Sequence, residues 1–446
     1  MYSEKLEKAF ESAGIGLGGR FRLSSEGRVL EGMLMPRPDT GDSNIIIMKL
    51  GNGYNAGIRF TRETKLEKLE AADAKQNVPS IQPRKFNRNL GKVDLIYTGG
   101  TISSKIDYKT GGVYMLTKPE ELLETVPELA GIANLSLTNL MSIASEDMSY
   151  LEWQKIAKAV ADSFNNGARG VIITHGTDTM HYTSAALSFM LKDLRGPVVM
   201  VGSQRSSDRG SSDAFINLAS ATRMAAESDM AEVTVCMHAT SSDNHCNIMR
   251  GNKVRKMHTS RRDAFRAINS KPIASVSYEG KITYHADDYR RIPGNDEKTK
   301  LMAGFEPKVA LIKAHPNSDP GILEYYHGRG FKGAIIEGTG LGHVPVSTPH
   351  SDLNWIGHIK SAVDSGMVIG MTSQCISGRV NDKVYRNLRM IKGAGAVFCE
   401  DMMPEVAYVK LGWLLGNYKR EEAEKLLPEN LTGEISARSE ADWFGD

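Results

Sequence analysis

The sequence predicts an α/β protein: two doubly wound parallel sheets, preceded by a small N-terminal β-barrel-like module. Three observations carry this. The first 70 residues hold short apolar or alternating runs punctuated by glycine, the texture of a small all-β unit. From Lys92 onward, continuous apolar runs alternate with helical patterns, which is the signature of βαβ units with strands buried on both faces. A second such series follows after residue 305.

Each element has its own reason. Residues 1–13 place Leu6, Ala9 and Phe10 on one face of an amphipathic helix. Strands are expected in "GGRFRLSS", "GRVLEGMLMP" and "NIIIMKLGNGYNAGIRF", the last folding back at its Gly/Asn-rich "GNGYN" as a hairpin. This module is placed at 1–73. The stretch "AKQNVPSIQPRKFNRNLGKV" has five basic residues, two prolines and no acid, and reads as a linker over 74–92. In the first α/β domain, 93–285, the strands are "VDLIYTGG", "RGVIITHG", "PVVMVGS" and "EVTVCMH", with helices in "SYLEWQKIAKAVADSFNN" and "TMHYTSAALSFMLKDL". The polar "GKITYHADDYRRIPGNDEKTKL" reads as an irregular interdomain connection. A smaller α/β domain, 305–440, is built on "KVALIKAH", "GAIIEGTG", "MVIGMTSQ" and "AGAVFCE".

Bulk properties exclude several classes. The 446 residues carry a formal net charge of +2, too little to argue for nucleic acid from whole-chain charge. No run approaches the roughly 20 apolar residues of a membrane span, and the charged N-terminus "MYSEKLEKAFESAG" has no apolar core of signal-peptide length. Cys236, Cys246, Cys375 and Cys399 form no C-x-x-C pair. Their sparseness fits a reducing, cytoplasmic setting. "DNHCN", with His238 nearby, matches no zinc spacing, so no metal is expected.

The chemistry gathers at two strand ends. One is Thr98-Gly99-Gly100-Thr101, the other Thr174-His175-Gly176-Thr177-Asp178-Thr179. Ligands of open parallel sheets bind beyond the carboxyl ends of the strands, and glycines there let a ligand approach the backbone. No Gly-Lys-Ser/Thr follows, so this is no common phosphate cradle. What remains is hydroxyls. A threonine is a weak nucleophile unless a neighbour takes its proton or lowers its pKa, a task suited to a lysine oriented by a carboxylate. Taken singly, a Thr-Gly-Gly also serves as a plain turn and His175 as a structural histidine.

The pair "TGGTI" and, about seventy residues on, "HGTDTM" resembles the two signatures of the L-asparaginase/glutaminase family, and "GNKVRKMHTSRRDAF" resembles its third catalytic block. The resemblance implies an asparaginase-like fold and amide hydrolysis. It implies Thr101 as acyl-accepting nucleophile, with Thr177, Asp178 and Lys256 as the group that activates a threonine or water. Which threonine attacks first stays open. It also implies Tyr114 in a flexible lid and Ser145 at the substrate carboxylate. Glu146 stands where the simple asparaginases mostly have Gln, a departure that bears on the amine contact and the pocket size.

Module, linker and body together, through "GEISARSEADWF", are similar to the D subunits of archaeal-type glutamyl-tRNA(Gln) amidotransferases. That implies a glutaminase that feeds ammonia to the E subunit of the same enzyme, which would bind tRNA(Gln), use ATP and Mg, and complete the amidation. It further implies no cofactor in this chain and a homodimer within a heterotetramer, without a membrane partner. Two other classes stay in view: a free-standing L-asparaginase/glutaminase, and a non-catalytic scaffold.

Overall fold

The computed structural model describes residues 2–25, 27–37, 42–50, 55–69, 87, 89–115 except 107–112, 127–207, 212–294 and 297–440. Most of the expected linker therefore lies outside the described residues.

The N-terminal helix Glu4–Ser12 begins where the Ser3 hydroxyl accepts a hydrogen bond from the Leu6 amide, a side-chain cap on a donor the helix cannot satisfy itself. Five strands follow: β1 (Arg20–Ser25), β2 (Arg28–Leu34), β3 (Ile45–Leu50), β4 (Asn55–Arg59) and β5 (Lys65–Lys68). They form an antiparallel sheet in the order β4-β3-β2-β1-β5. Leu6 and Phe10 pack on Phe21, Leu23, Ile46 and Met48 to give the module its own core. The expected hairpin is β3 with β4.

The large sheet has eight strands. β6 (Lys92–Tyr97), β9 (Asn134–Asn139), β10 (Gly170–Thr174), β12 (Val198–Val201) and β13 (Val233–His238) run parallel; β14 (His245–Arg250), β17 (Ala274–Ser277) and β18 (Ile282–Tyr284) extend it antiparallel. Short ribbons complete this part: β7 (Ser104–Ile106) with β8 (Val113–Met115), β11 (Leu191–Lys192) with β19 (Lys300–Leu301), and β15 (Val254–Lys256) with β16 (Phe265–Ala267). Alternate residues of one strand enter opposite cores. Ile173, Val198 and Met200 face helices Tyr150–Asn165 and Met180–Met190, while Ile172, Val199 and Val201 face helix Ala214–Glu227. Burial on both faces is why these strands read as unbroken apolar runs.

β18 is a correction to the sequence reading. It falls inside the polar stretch taken as irregular. The strand is three residues long, half- to fully exposed and at the sheet's edge, so its Ile-Thr-Tyr alternation is too short to detect; the two-residue β19 lies in the same stretch.

The second sheet, β20 (Val309–Lys313), β21 (Gly333–Gly338), β22 (Val368–Ser373) and β23 (Val397–Phe398), is parallel, with neighbours in chain order. Helix Pro404–Asn417 joins it to the large sheet. Phe189 stacks on Trp413 with ring centroids 5.7 Å apart, and one apolar cluster runs from Val198 through Leu411 to Ile335.

Strand order places the site. In the large sheet β6 is flanked by β9 on one side and β10 on the other. The chain thus leaves β6 in one direction, then crosses back. This reversal is a topological switch point, where adjoining loops diverge and open a crevice at the carboxyl ends. Both hydroxyl-rich motifs are the loops of that crevice.

Candidate active site at the switch point of the large sheet

The two strand ends are bolted together before any chemistry begins. The Thr98 hydroxyl donates to the Thr174 carbonyl at 2.6 Å, both fully buried. Beyond them, Gly99 and Gly100 take φ of 108° and 94°, backbone that L side chains rarely adopt. Gly100 also lies against the other motif: a Cβ there would sit 2.6 Å from the His175 carbonyl carbon and the Gly176 nitrogen. Gly176 in turn presses on Ser145, where a Cβ would come within 2.8 Å of the Ser145 side chain. The glycines let three loops converge closer than side chains permit. In TGGT, the first threonine is a strut and the second, Thr101, opens the 3-10 turn Thr101–Ser103 half-buried at the crevice.

Lys256 reaches this point from the β15–β16 ribbon. Its Nζ donates to Thr177 Oγ1 at 2.9 Å and to Asp178 Oδ1 at 2.6 Å. The lysine side chain is 9% exposed and the aspartate 65%. The pair therefore spans from interior to solvent, with Thr177 buried beside it. A hydroxyl held by an ammonium that a carboxylate orients is the arrangement that lets a proton move at an alcohol.

His175 is a structural group. Burial pushes its imidazole down to about 4, so it is neutral. Nδ1–H donates to the Gly176 carbonyl at 2.6 Å, and Nε2 accepts from the Thr183 hydroxyl at 2.9 Å. His181 lies nearby, also held at about 4, first by burial and then by the charges of Arg255 and Lys256.

Four residues expected at the site, Thr101, Thr177, Asp178 and Lys256, thus sit on the converging loops or on the ribbon that meets them. Ser145 begins the 3-10 turn Ser145–Asp147 and is buried, and its carbonyl accepts from the Thr179 hydroxyl at 2.7 Å. Glu146 is exposed next to it. Tyr114 pairs with Lys105 across the β7–β8 ribbon. Its side chain and residues 107–112 lie outside the described residues. Sequence reasoning missed the cross-links Thr98–Thr174 and Thr179–Ser145. Thr98, just past β6, and Thr174, the last residue of β10, are the trace the first of them leaves. His238 points elsewhere, its ring nitrogens meeting Asn217 Oδ1 at 2.6 Å and Asp243 Oδ1 at 3.2 Å. Among the described residues no group of three or more His, Cys, Asp or Glu side chains could hold a metal ion, and no helix is long and apolar enough to cross a membrane.

A switch-point crevice lined by paired threonines, with a Lys–Asp pair on one of them, defines an amidohydrolase of the asparaginase class. Residues 92–290 match the model of the asparaginase N-terminal domain, and 308–427 that of the glutaminase/asparaginase C-terminal domain. Residues 15–69 match the GatD N-terminal domain. Among solved structures, the thermostable L-asparaginase from Thermococcus kodakarensis superposes with a TM-score of 0.68 at 29% identity, covering 78% of this chain and 99% of that one. The D subunit of the Pyrococcus furiosus glutamyl-tRNA(Gln) amidotransferase is 46% identical over 448 residues, 99% of both chains. Its T. kodakarensis counterpart is 47% identical over 447 residues, again 99% of both. The chain belongs to the family of glutamyl-tRNA(Gln) amidotransferase D subunits.

Proposed function

We propose that this chain hydrolyses the side-chain amide of glutamine and supplies the ammonia to a partner, the amidotransferase E subunit, which converts Glu-tRNA(Gln) to Gln-tRNA(Gln). One observation carries the chemistry: Lys256 bonded to both Thr177 and Asp178, at the crevice that Thr101 opens. The family membership supports the destination of the ammonia.

Hydrolysis runs in two steps. Thr101 Oγ attacks the amide carbon, and its proton passes by way of the Thr177–Lys256–Asp178 group to the leaving nitrogen. The C–N bond breaks, ammonia departs, and a threonine ester remains. Water then attacks the ester, the C–O bond to Thr101 breaks, and glutamate leaves. The anionic tetrahedral states need aimed donors, each worth about 3 kcal/mol in acyl-transfer sites. The backbone amides around Gly99–Thr101 and Gly176–Thr177 are the nearest supply. Ser145 holds the substrate carboxylate, Glu146 contacts the amine, and Tyr114 rides on a lid. No cofactor belongs to this chain; ATP and Mg act in the partner. The active assembly is a cytoplasmic heterotetramer built on a homodimer of this chain, and tRNA is met mainly through the E subunit.

The test is steady-state glutamine hydrolysis by the chain alone, with the E subunit, and with the E subunit plus Glu-tRNA(Gln). The rate is expected to rise across the three. Equal rates, or a preference for asparagine unaffected by the partner, would return the free-standing asparaginase.

A further inference from the structure

Lys256 is held at the site from behind, by the other sheet's unit. β15 is a strand, so side chains alternate across it. Lys256 points one way, to Thr177 and Asp178. Arg255, next to it in the strand, points the other way, and Lys253, in the bend just before β15, does so as well; each meets a carboxylate. Lys253 Nζ lies 2.6 Å from Asp401 Oδ2, and both side chains are almost fully buried, at 3% and 0% exposure. Arg255 Nε lies 3.3 Å from Glu405 Oε1, an ion pair without hydrogen-bond alignment. Glu405 is 3% exposed and Arg255 32%.

Both acids come from one short segment. Asp401 follows β23, and Glu405 stands in the first turn of helix Pro404–Asn417, where the helix dipole favours a negative charge. Two cations spaced two apart, one at the entry of β15 and one within it, thus face two carboxylates spaced four apart at a helix entry. The return of the ribbon is tied down as well. Just past β16, the Asn269 side-chain amide donates to the Asp401 carbonyl at 2.9 Å and to the Gly378 carbonyl at 3.1 Å, and its oxygen accepts from the Gly378 amide at 2.8 Å. The C-terminal segment closes the arrangement: the Ser436 amide donates to Asp401 Oδ1 at 3.0 Å and its hydroxyl accepts from Lys253 Nζ at 3.0 Å.

We propose that Asp401 and Glu405 are positioning residues which clamp Lys253 and Arg255, and so set the direction of Lys256 toward Thr177 and Asp178. The second unit then has a part in the chemistry although its own sheet ends hold none of it. Neither acid touches Thr101, Thr177 or Asp178. Glu405 also stands 3.9 Å from His181 Nε2, in the first turn of helix Met180–Met190, and the clamp on Lys256 runs through the strand. Two paired cations precede Lys256, although a buried ion pair is seldom more stabilising than well-packed apolar side chains of the same volume. The inference rests on the amide-hydrolase reading for its kinetic test.

Glu405→Gln in the full chain is expected to lower kcat for glutamine by about 100-fold, the cost of a shift of order 1 Å in a reacting group. KM stays within about twofold, because the clamp does not reach the substrate-binding loops. Glu405→Met separates position from packing: it is expected to regain thermal stability lost in Glu405→Gln while kcat stays low. Exchanging the charges in one chain, Arg255→Glu with Glu405→Arg, is expected to recover at least about tenfold in kcat over either single change. Wild-type kcat per folded molecule in Glu405→Gln, or in Glu405→Met, would overturn the proposal. A wild-type chain that hydrolyses neither glutamine nor asparagine, alone or with the E subunit and Glu-tRNA(Gln), would defeat the amide-hydrolase reading instead. The clamp is then decided by a crystal structure of the Glu405→Gln chain. Lys256 Nζ out of hydrogen-bond reach of Thr177 Oγ1 supports it, and an unchanged separation of 2.9 Å overturns it.

Discussion

The protein contains two sheets whose parallel strands end in glycine-rich loops, and only one of them carries the proposed reactive set. At the large sheet, β6 and β10 end in TGGT and THGTD; at the second sheet, β21 ends in Gly338-Thr339-Gly340. Composition alone does not separate them. Strand order does. The second sheet runs β20-β21-β22-β23 without reversal, so its loops do not diverge and no crevice opens. Its hydroxyls are taken up by backbone carbonyls: Thr339 Oγ1 donates within its own loop to the His343 carbonyl at 3.4 Å, and Ser373 Oγ, at the end of β22, donates across to the Gly340 carbonyl at 2.6 Å. At the large sheet a separate ribbon delivers Lys256 to a threonine. What separates the two sheet ends is a lysine bonded to a threonine at a switch point, not glycine and threonine as such.

The contrast breaks most sharply at Thr101. Thr101→Val keeps the shape and removes the hydroxyl, so hydrolysis is expected to fall by about 10⁴-fold or more with an unchanged melting temperature. A glutaminase assay beside a thermal melt checks this. Substantial residual turnover would move the nucleophile to Thr177.

Lys256→Met and Asp178→Asn come next, each expected to cost about 10³-fold, with the double change little worse than either. The two groups share one hydrogen-bonded unit with Thr177, and members of one unit are strongly non-additive. Multiplicative losses in a double-mutant cycle would mean that they do not share a proton path.

Much of this is legible in the sequence. The apolar strand runs follow from burial on both sheet faces, and the two motifs from glycines whose conformations and contacts admit no side chain. The hairpin β3–β4 is legible in its turn residues, Asn and Gly. Three things are not. β18 is too short and too exposed for its alternation to register. The antiparallel β14 and β17 depend on long-range pairing that no local period reports. The ion pairs of Lys253 and Arg255 bridge roughly 150 residues of chain, and a basic run such as "NKVRK" looks the same whether solvated or clamped. Lys256 itself stands out only through the family resemblance.

Gly100 sharpens the comparison on the side of stability. At φ 94°, with a Cβ 2.6 Å from the backbone of His175 and Gly176, Gly100→Ala is expected to cost about 3 kcal/mol or more, strain and overpacking together. Denaturant midpoints with an unchanged m-value check this, and activity falls as the loops separate.

Acid offers a further handle at the large sheet. His175 and His181 are held neutral in the fold, both at about 4 against an ordinary 6.5. The unfolded chain gains protons below pH 6.5 that the native chain refuses until about pH 4. Stability is therefore complete above pH 6.5 and lost as pH falls toward 4, by about 3 kcal/mol per histidine. In His181→Gln the slope of unfolding free energy between pH 6.5 and 4 is expected to decrease by up to one proton. An unchanged slope would place the titration elsewhere.

The smallest effects belong to the second sheet, and they complete the contrast. Gly340 has φ 51° and nothing within 4 Å of where a Cβ would lie. Gly340→Ala therefore meets the left-handed penalty alone, about 1 kcal/mol, against the larger cost at Gly100. Thr339→Val removes one long hydrogen bond from a solvent-exposed loop, and is expected to change stability by about 0.5 kcal/mol or less. Neither substitution is expected to move kcat or KM, since neither residue reaches Lys256 or the segment Asp401–Glu405 that holds its strand. The measurement is glutamine turnover and thermal unfolding of both chains beside wild type. A roughly tenfold loss of kcat in Thr339→Val would mean that the second sheet's loop takes part in the reaction, and the distinction drawn from strand order would fail.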